Sequence, residues 1–355
     1  MKNKKSLLVI FIITALILYI TLKDNFLDKI KYIFSFNPLW LLLAFALIIA
    51  YWFLKALVLY YCTNKVDKTY PFWKALYLMV TTQFFHAITP FSSGGQPWQI
   101  YTLKKDGIEI EKSTNIILQD FIVYQIALIL IGLMAIISNH IWQIFPQNGL
   151  LKKLVLIGFS LNLLVTVVLF ILAFSKKWNK KILNTMVNIL GKLKIIKDKE
   201  KYLNKTEEYI DNFHKVALEL INDKKYFIKI TSLNLFALTG LYLIPFTLAM
   251  GLGIYLNPLI VIVASAYVML IGSMVPIPGG TGGLEYGFLS FYKTFIKEPV
   301  LSSLMIVWRI VTYYFGILLG AIILNIKRKW ENAYWNIYGN IYPIYQWTSN
   351  QWAYA

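Results

Sequence analysis

The 355-residue chain is 58% hydrophobic and 15% charged, where a soluble domain is roughly 45–50% apolar and ~25% charged, so an ordinary soluble globular protein is excluded; its aromatic share of 16% excludes a disordered one. One cysteine, Cys62, excludes a disulfide framework and a cysteine-based metal site, and His86, His140 and His214 stand too far apart to suggest a metal centre, so no metal or cofactor is expected. A formal charge of +18 on so apolar a chain points to Lys and Arg in cytoplasmic loops facing anionic lipid, not to bound nucleic acid, because the basic residues lie between apolar runs.

An apolar run of about 20 residues crosses the hydrocarbon of a bilayer. The first, Leu7 to Leu22, follows Lys2, Lys4 and Lys5 and lacks the small residues of a cleavage site at its end. It reads as a retained first helix with a cytoplasmic N-terminus. Leu39 to Tyr61 is the second run; Lys55, near its inner end, is expected to snorkel. Ala75 to Leu103 is apolar but interrupted at Thr89-Pro90-Phe91-Ser92-Ser93-Gly94-Gly95, with Thr81, Gln83 and His86 before the break as satisfied polar groups. Ile116 to Ser138 carries Asp120 beside Gln119 and Gln125, and Leu154 to Phe174 follows it. Segment 175–229 holds 14 Lys, and Trp178, Ile182, Met186, Ile189 and Leu193 recur in it at helical spacing, the pattern of a basic amphipathic helix on the membrane surface. A second helical pattern there comprises Ile210, Phe213, Val216, Ala217 and Leu220. Phe227 to Met250 is a further span. Leu259 to Phe295 is apolar but broken at Pro276-Ile277-Pro278-Gly279-Gly280-Thr281-Gly282-Gly283, with Glu285 just beyond. Leu304 to Ile326, the last span, carries Arg309, and the tail 327–355 crowds Trp and Tyr from Trp330 to Tyr354 as an interfacial anchor would.

The expected architecture is an all-α polytopic membrane bundle over residues 1–326. It has six full spans and two re-entrant broken-helix hairpins arranged like an inverted repeat, with both termini cytoplasmic and the protein in the cell membrane. If each interrupted stretch enters and leaves on one side, the inside segments hold 26 of the 35 Lys and Arg and the outside loops hold 7, as the positive-inside rule requires. The first hairpin then enters from the cytoplasm and the second from outside.

Helix breakers at membrane depth free backbone N–H and C=O groups, so such segments are buried in protein or line a wet cavity. Paired breaks in corresponding halves point to a substrate site. The residues singled out for a lipid site are Thr89, Pro90, Ser92, Ser93, Gly94, Gly95 and Gln96 in the first break. In the second they are Pro276, Pro278, Gly279, Gly280, Thr281, Gly282, Gly283 and Glu285. Half-helix N-termini there would offer partial positive charge to a phosphate. Asp120 and Arg309 are each a strong charge in a long apolar run, costing ~2.5–3.5 kcal/mol alone. Mutual pairing is the economical expectation, either as a packing ion pair or as a headgroup site; Glu285 could instead hold Arg309 or meet a cationic headgroup. The chain shows no catalytic triad spacing, phosphate-binding loop, dinucleotide fingerprint or zinc-protease motif, so no catalytic residue is assigned.

The run from Thr89 through Gln96-Pro97, continuing to Tyr101, Leu103 and Lys105-Asp106-Gly107-Ile108, resembles one signature of the transmembrane domain of lysylphosphatidylglycerol synthases and their stand-alone relatives. The run Pro276 to Glu285 resembles the second. Asp120 and Arg309, with Gly316 and Gly320, also fall where that family carries an acid and an arginine, and the likeness spans about residues 5 to 326. The resemblance implies a polytopic bundle with two re-entrant hairpins and a flippase-like movement of aminoacylated or other anionic phosphatidylglycerol. It also implies a role in lipid metabolism and antibiotic resistance. The lysyl transfer from charged tRNA belongs in full-length relatives to a separate cytoplasmic domain, for which this chain has no room after residue 326. The family name nonetheless implies a phosphatidylglycerol lysyltransferase. Many relatives carry an acid after the first Gly pair and a base three residues on; here Gln96 and Gln99 stand there. Three functions follow from this reading: a phospholipid translocase, a lysyltransferase acting with a separate soluble partner, or a membrane scaffold, any of them open to homo-oligomers.

Overall fold

Asn-Pro-Leu occurs twice in the chain, and both copies start a helix. Asn37 accepts a hydrogen bond from the Leu39 N–H at 2.9 Å, and Asn257 accepts from the Leu259 N–H at 2.9 Å. In each case proline fills the first helical turn, where its missing N–H costs nothing. The computed structural model describes residues 26–146, 149–192, 214, 218, 220 and 222–338, and these are helical with no strand among them.

In chain order the helices are α1 (Phe26–Phe34), α2 (Pro38–Asn64), α3 (Phe72–Ala87), α4 (Gly95–Lys105), α5 (Ile110–Trp142), α6 (Leu150–Phe174), α7 (Lys176–Lys192), α8 (Lys224–Tyr242), α9 (Ile244–Gly251), α10 (Pro258–Gly272), α11 (Gly283–Tyr292), α12 (Val300–Arg309) and α13 (Phe315–Tyr338). Five segments are long and apolar enough to cross a bilayer: Pro38–Asn64, Ile110–Trp142, Leu150–Ile171, Lys224–Gly251 and Val300–Ile326. They coincide with five of the six expected spans. The sixth, Leu7 to Leu22, lies outside the described residues, as do Ile210, Phe213, Val216 and Ala217 of the second helical pattern and the aromatic residues after 338; Leu220 of that pattern is described and buried. The amphipathic stretch after 175 forms α7. The last span does not stop at Ile326; its helix runs on to Tyr338.

Helix α5 is the hub. At 33 residues it is about 50 Å long, and it packs against α2, α4, α6, α8 and α10. Its buried side lies toward the bundle, while α6 turns Leu156, Ile157, Leu161 and Leu164 outward, as a lipid-facing helix does. Gly158 lets α6 approach α10 closely, because a Cβ there would strike the Leu270 carbonyl; small residues serve this purpose between membrane helices.

Each interrupted stretch is a hairpin of two short helices, α3 with α4 and α10 with α11. The hairpins open at opposite ends of the bundle. At one end Lys65 pairs with Asp223 at 2.5 Å, and Lys74 with Asp106 at 3.7 Å. This joins the segments 63–74, 104–113 and 175–229, all expected on one side. At the other end the Asn37 N–H donates to the Gly251 carbonyl at 2.8 Å. Phe145 packs edge-on against Phe291 at 5.0 Å, and Ser303 donates to the Lys29 carbonyl at 3.1 Å. Those contacts gather the segments expected on the opposite side. The turns of the two hairpins meet inside.

Candidate functional site

The two breaks are built alike. Pro90-Phe91-Ser92-Ser93-Gly94-Gly95 and Pro278-Gly279-Gly280-Thr281-Gly282-Gly283 each open with a proline in a short 3-10 turn. The next two residues are left-handed in both: Phe91 and Ser92 have φ of 53° and 52°, and Gly279 and Gly280 have φ of 66° and 61°. Three residues after each proline a hydroxyl returns to its carbonyl, Ser93 to Pro90 at 2.9 Å and Thr281 to Pro278 at 2.7 Å. Glycine takes the left-handed form freely. Phe91 and Ser92 do not, so the first break holds strain that the second lacks.

Local bonds close each hairpin. Thr89 accepts from the Gly94 N–H at 2.8 Å while donating to the Phe85 carbonyl at 2.7 Å, and Trp98 stacks on Phe85 at 4.2 Å. His86 bonds through Nδ1 to the Ser92 carbonyl. Its ring fills the space a Cβ on residue 95 would need, which is why Gly95 is glycine. In the second hairpin the Gly282 N–H donates to Glu285 Oε2 at 2.7 Å. The positive end of α11 is therefore answered by its own carboxylate, and it does not stand free for a phosphate as the sequence suggested.

The intramembrane charges pair differently from the expectation. Asp120 does not meet Arg309. Lys55 Nζ donates to Asp120 Oδ1 at 2.7 Å and to Asn234 Oδ1 at 2.9 Å, and it lies 5.0 Å from the Tyr124 ring centre. Lys55 does not snorkel; it is buried, because α5 and α8 pack against α2 where its side chain leaves the helix. Arg309 Nε lies 2.8 Å from Glu285 Oε1. Arg309 Nη2 donates to the Gly279 carbonyl at 3.1 Å and to Thr281 Oγ1 at 3.4 Å. So Arg309 clamps the second break, and Glu285 binds both the break and the arginine.

Immediately after Arg309 the chain makes a π-helical turn, Ile310–Tyr314, a form often found at functional sites. The turn carries Tyr313, whose ring lies 4.3 Å from the Arg309 guanidinium and whose hydroxyl donates to the Ala87 carbonyl at 3.0 Å. Tyr313 thus ties the clamp on the second hairpin to the end of α3 in the first. The sequence gives no sign of it, since the turn contains neither proline nor glycine.

These parts border one partly open cavity of about 600 Å³, lined among others by Lys55, Asp120, Arg309, His86, Ser92, Gln96, Gly279 and Gly280. Of the residues singled out in the breaks, Ser92, Gln96, Gly279 and Gly280 reach the cavity wall. Thr281 and Glu285 support it from behind through Arg309. Thr89, Ser93 and Gly94 shape the first turn; Pro90 and Pro278 open the two turns. Pro276 and Gly283 make no contact with the cavity among the described residues. Gln99 and Gln125 also line it.

A family model described as the lysylphosphatidylglycerol synthase TM region matches residues 6–320. The chain is similar to a UPF0104 membrane protein of Archaeoglobus fulgidus, 26% identical over 356 residues that cover 90% of this chain and 95% of the relative. It is also similar to a UPF0104 membrane protein of Methanothermobacter thermautotrophicus, 26% identical over 345 residues covering 90% and 93%.

Proposed function

Because this chain belongs to the lysylphosphatidylglycerol synthase transmembrane-region family, we propose that it is a flippase-like protein that carries phospholipid headgroups between the two leaflets. The observation that carries the reading is the meeting of two like-built helix breaks, entering from opposite ends of the bundle, at one internal cavity. A headgroup cannot cross hydrocarbon without leaving its water, at a cost of several kcal/mol for each polar group. A cavity with polar side chains in its wall divides that cost into smaller steps. The cavity volume of about 600 Å³ falls within the ~300–1,000 Å³ of ordinary small-molecule sites, enough for a headgroup while the acyl chains stay in lipid.

Opposed hairpins suit alternating exposure of the cavity, since each can open it toward its own end. Tyr313 and Arg309 would couple the two, because they touch both. The test is reconstitution into vesicles that carry a fluorescent phospholipid, with a membrane-impermeant reductant added outside. Vesicles with protein should lose fluorescence beyond the outer-leaflet share. Loss identical to that of protein-free vesicles refutes the reading.

A further inference from the structure

The charges of the cavity are cancelled within the protein. Lys55 is answered by Asp120 at 2.7 Å, and Arg309 by Glu285 at 2.8 Å. An ionic ligand would have to displace one of these buried partners, which is costly. What the cavity leaves open is amide. Gln99 and Gln125 line it, and they are 4% and 5% exposed. Among the described residues neither side chain makes a hydrogen bond. A primary amide carries two donors and an acceptor oxygen with two lone pairs, and these two face the cavity, where a ligand can meet them. Gln96 lines the same cavity, and the rings of Tyr51, Trp52 and Tyr124 add apolar faces to it.

Groups that both donate and accept are matched by hydroxyls, which also do both. An ammonium only donates, so it would use the amide oxygens and leave the N–H₂ groups unmet. We infer that the headgroup held in this cavity is an uncharged polyol, its hydroxyls met by Gln99 and Gln125, and not a cationic aminoacyl group. The inference rests on the reading that a lipid headgroup occupies this cavity. Two lipids present that chemistry: a phospholipid whose glycerol or inositol hydroxyls enter the cavity while its charged phosphodiester stays outside it, and a glycosylated diacylglycerol.

Binding is measured apart from transport. The full chain is purified in a polyoxyethylene detergent, which has no sugar, and its melting temperature is followed against short-chain lipids. The lipids are phosphatidylglycerol, glucosyl-diacylglycerol, phosphatidylmethanol, phosphatidylethanolamine and lysyl-phosphatidylglycerol. Phosphatidylglycerol, glucosyl-diacylglycerol or both should stabilise the protein at concentrations about tenfold lower than the other three. A shift with the first alone assigns the hydroxyls to a phospholipid, and with the second alone to a glycolipid. Gln99→Leu and Gln125→Leu should each weaken that binding about tenfold. Should a Leu variant be poorly folded, the ranking of the five lipids on the parent protein decides alone. Phosphatidylmethanol matching phosphatidylglycerol with the glycolipid inert, lysyl-phosphatidylglycerol binding as tightly as the polyols, or no lipid binding at all overturns the inference. Polyol binding without any translocation would instead overturn the proposed function and leave this inference standing.

Discussion

Replacing Lys55 by Met should destabilise the protein more than replacing Lys55 and Asp120 together. The two charges stand 2.7 Å apart with side chains 8% and 9% exposed. At an effective dielectric near 20, that separation is worth about 6 kcal/mol of attraction, much of it offset by the loss of hydration. Removing one partner leaves the other as an uncompensated buried charge, at about 3–5 kcal/mol. Lys55→Met and Asp120→Asn should each cost that much. The double variant removes both charges and should cost less than either alone, so the cycle returns a coupling of about 3 kcal/mol or more. Asn234 Oδ1 also loses the Lys55 bond, but it does so in the single and the double alike and cancels from the cycle. The assay is the unfolding of detergent-solubilised protein followed by tryptophan fluorescence. The companion cycle, Asp120→Asn with Arg309→Met, should show a coupling under about 1 kcal/mol, since neither residue is the other's partner. Additive losses in the first cycle, or a larger coupling in the second, would refute the pairing and restore the Asp120–Arg309 bond that the sequence suggested.

Two further outcomes follow from the same geometry. Gly279→Ala puts a methyl into the Tyr313 ring at φ of 66° and should cost about 2–5 kcal/mol from backbone and overpacking together, whereas Gly253→Ala, at φ of 72° with open space around it, should cost only about 1–2 kcal/mol; equal losses in a thermal melt would show that the Tyr313 contact carries no energy. At the end of the bundle, Lys65 and the Tyr226 N–H hold the Asp223 carboxyl below its ordinary value, so the stability this carboxylate contributes is present above about pH 4 and is lost as the pH falls through the folded value. Asp223→Asn should therefore make the melting temperature less sensitive to acid between about pH 5 and 3, and an unchanged acid profile would show that this cap contributes nothing.

The sequence alone determined the spans, because hydrocarbon thickness sets the length of an apolar run and nothing in the tertiary structure can alter it. Pro38–Asn64 and Leu150–Ile171 could be read directly. The breaks were equally legible: Pro90 and Pro278 cannot continue a helix, and the glycines that follow each, Gly94 and Gly279 among them, weaken it further. The charge asymmetry of the loops also placed the two hairpins at opposite ends, and the structure gathers those loops accordingly. It could not determine which charges pair. Asp120 and Arg309 looked like partners because each was a strong charge in a long run, but pairing depends on which helices touch, and α5 packs Asp120 against α2 and Lys55. The left-handed turn at Phe91 and Ser92 was hidden too, since neither is glycine, and only the surrounding hairpin holds that form. The π-helical turn after Arg309 and the bond from Tyr313 to Ala87 leave no trace in local sequence. Spans and breaks are properties of a segment in its solvent; partners belong to neighbours 65 or 226 residues away, and only packing brings those together.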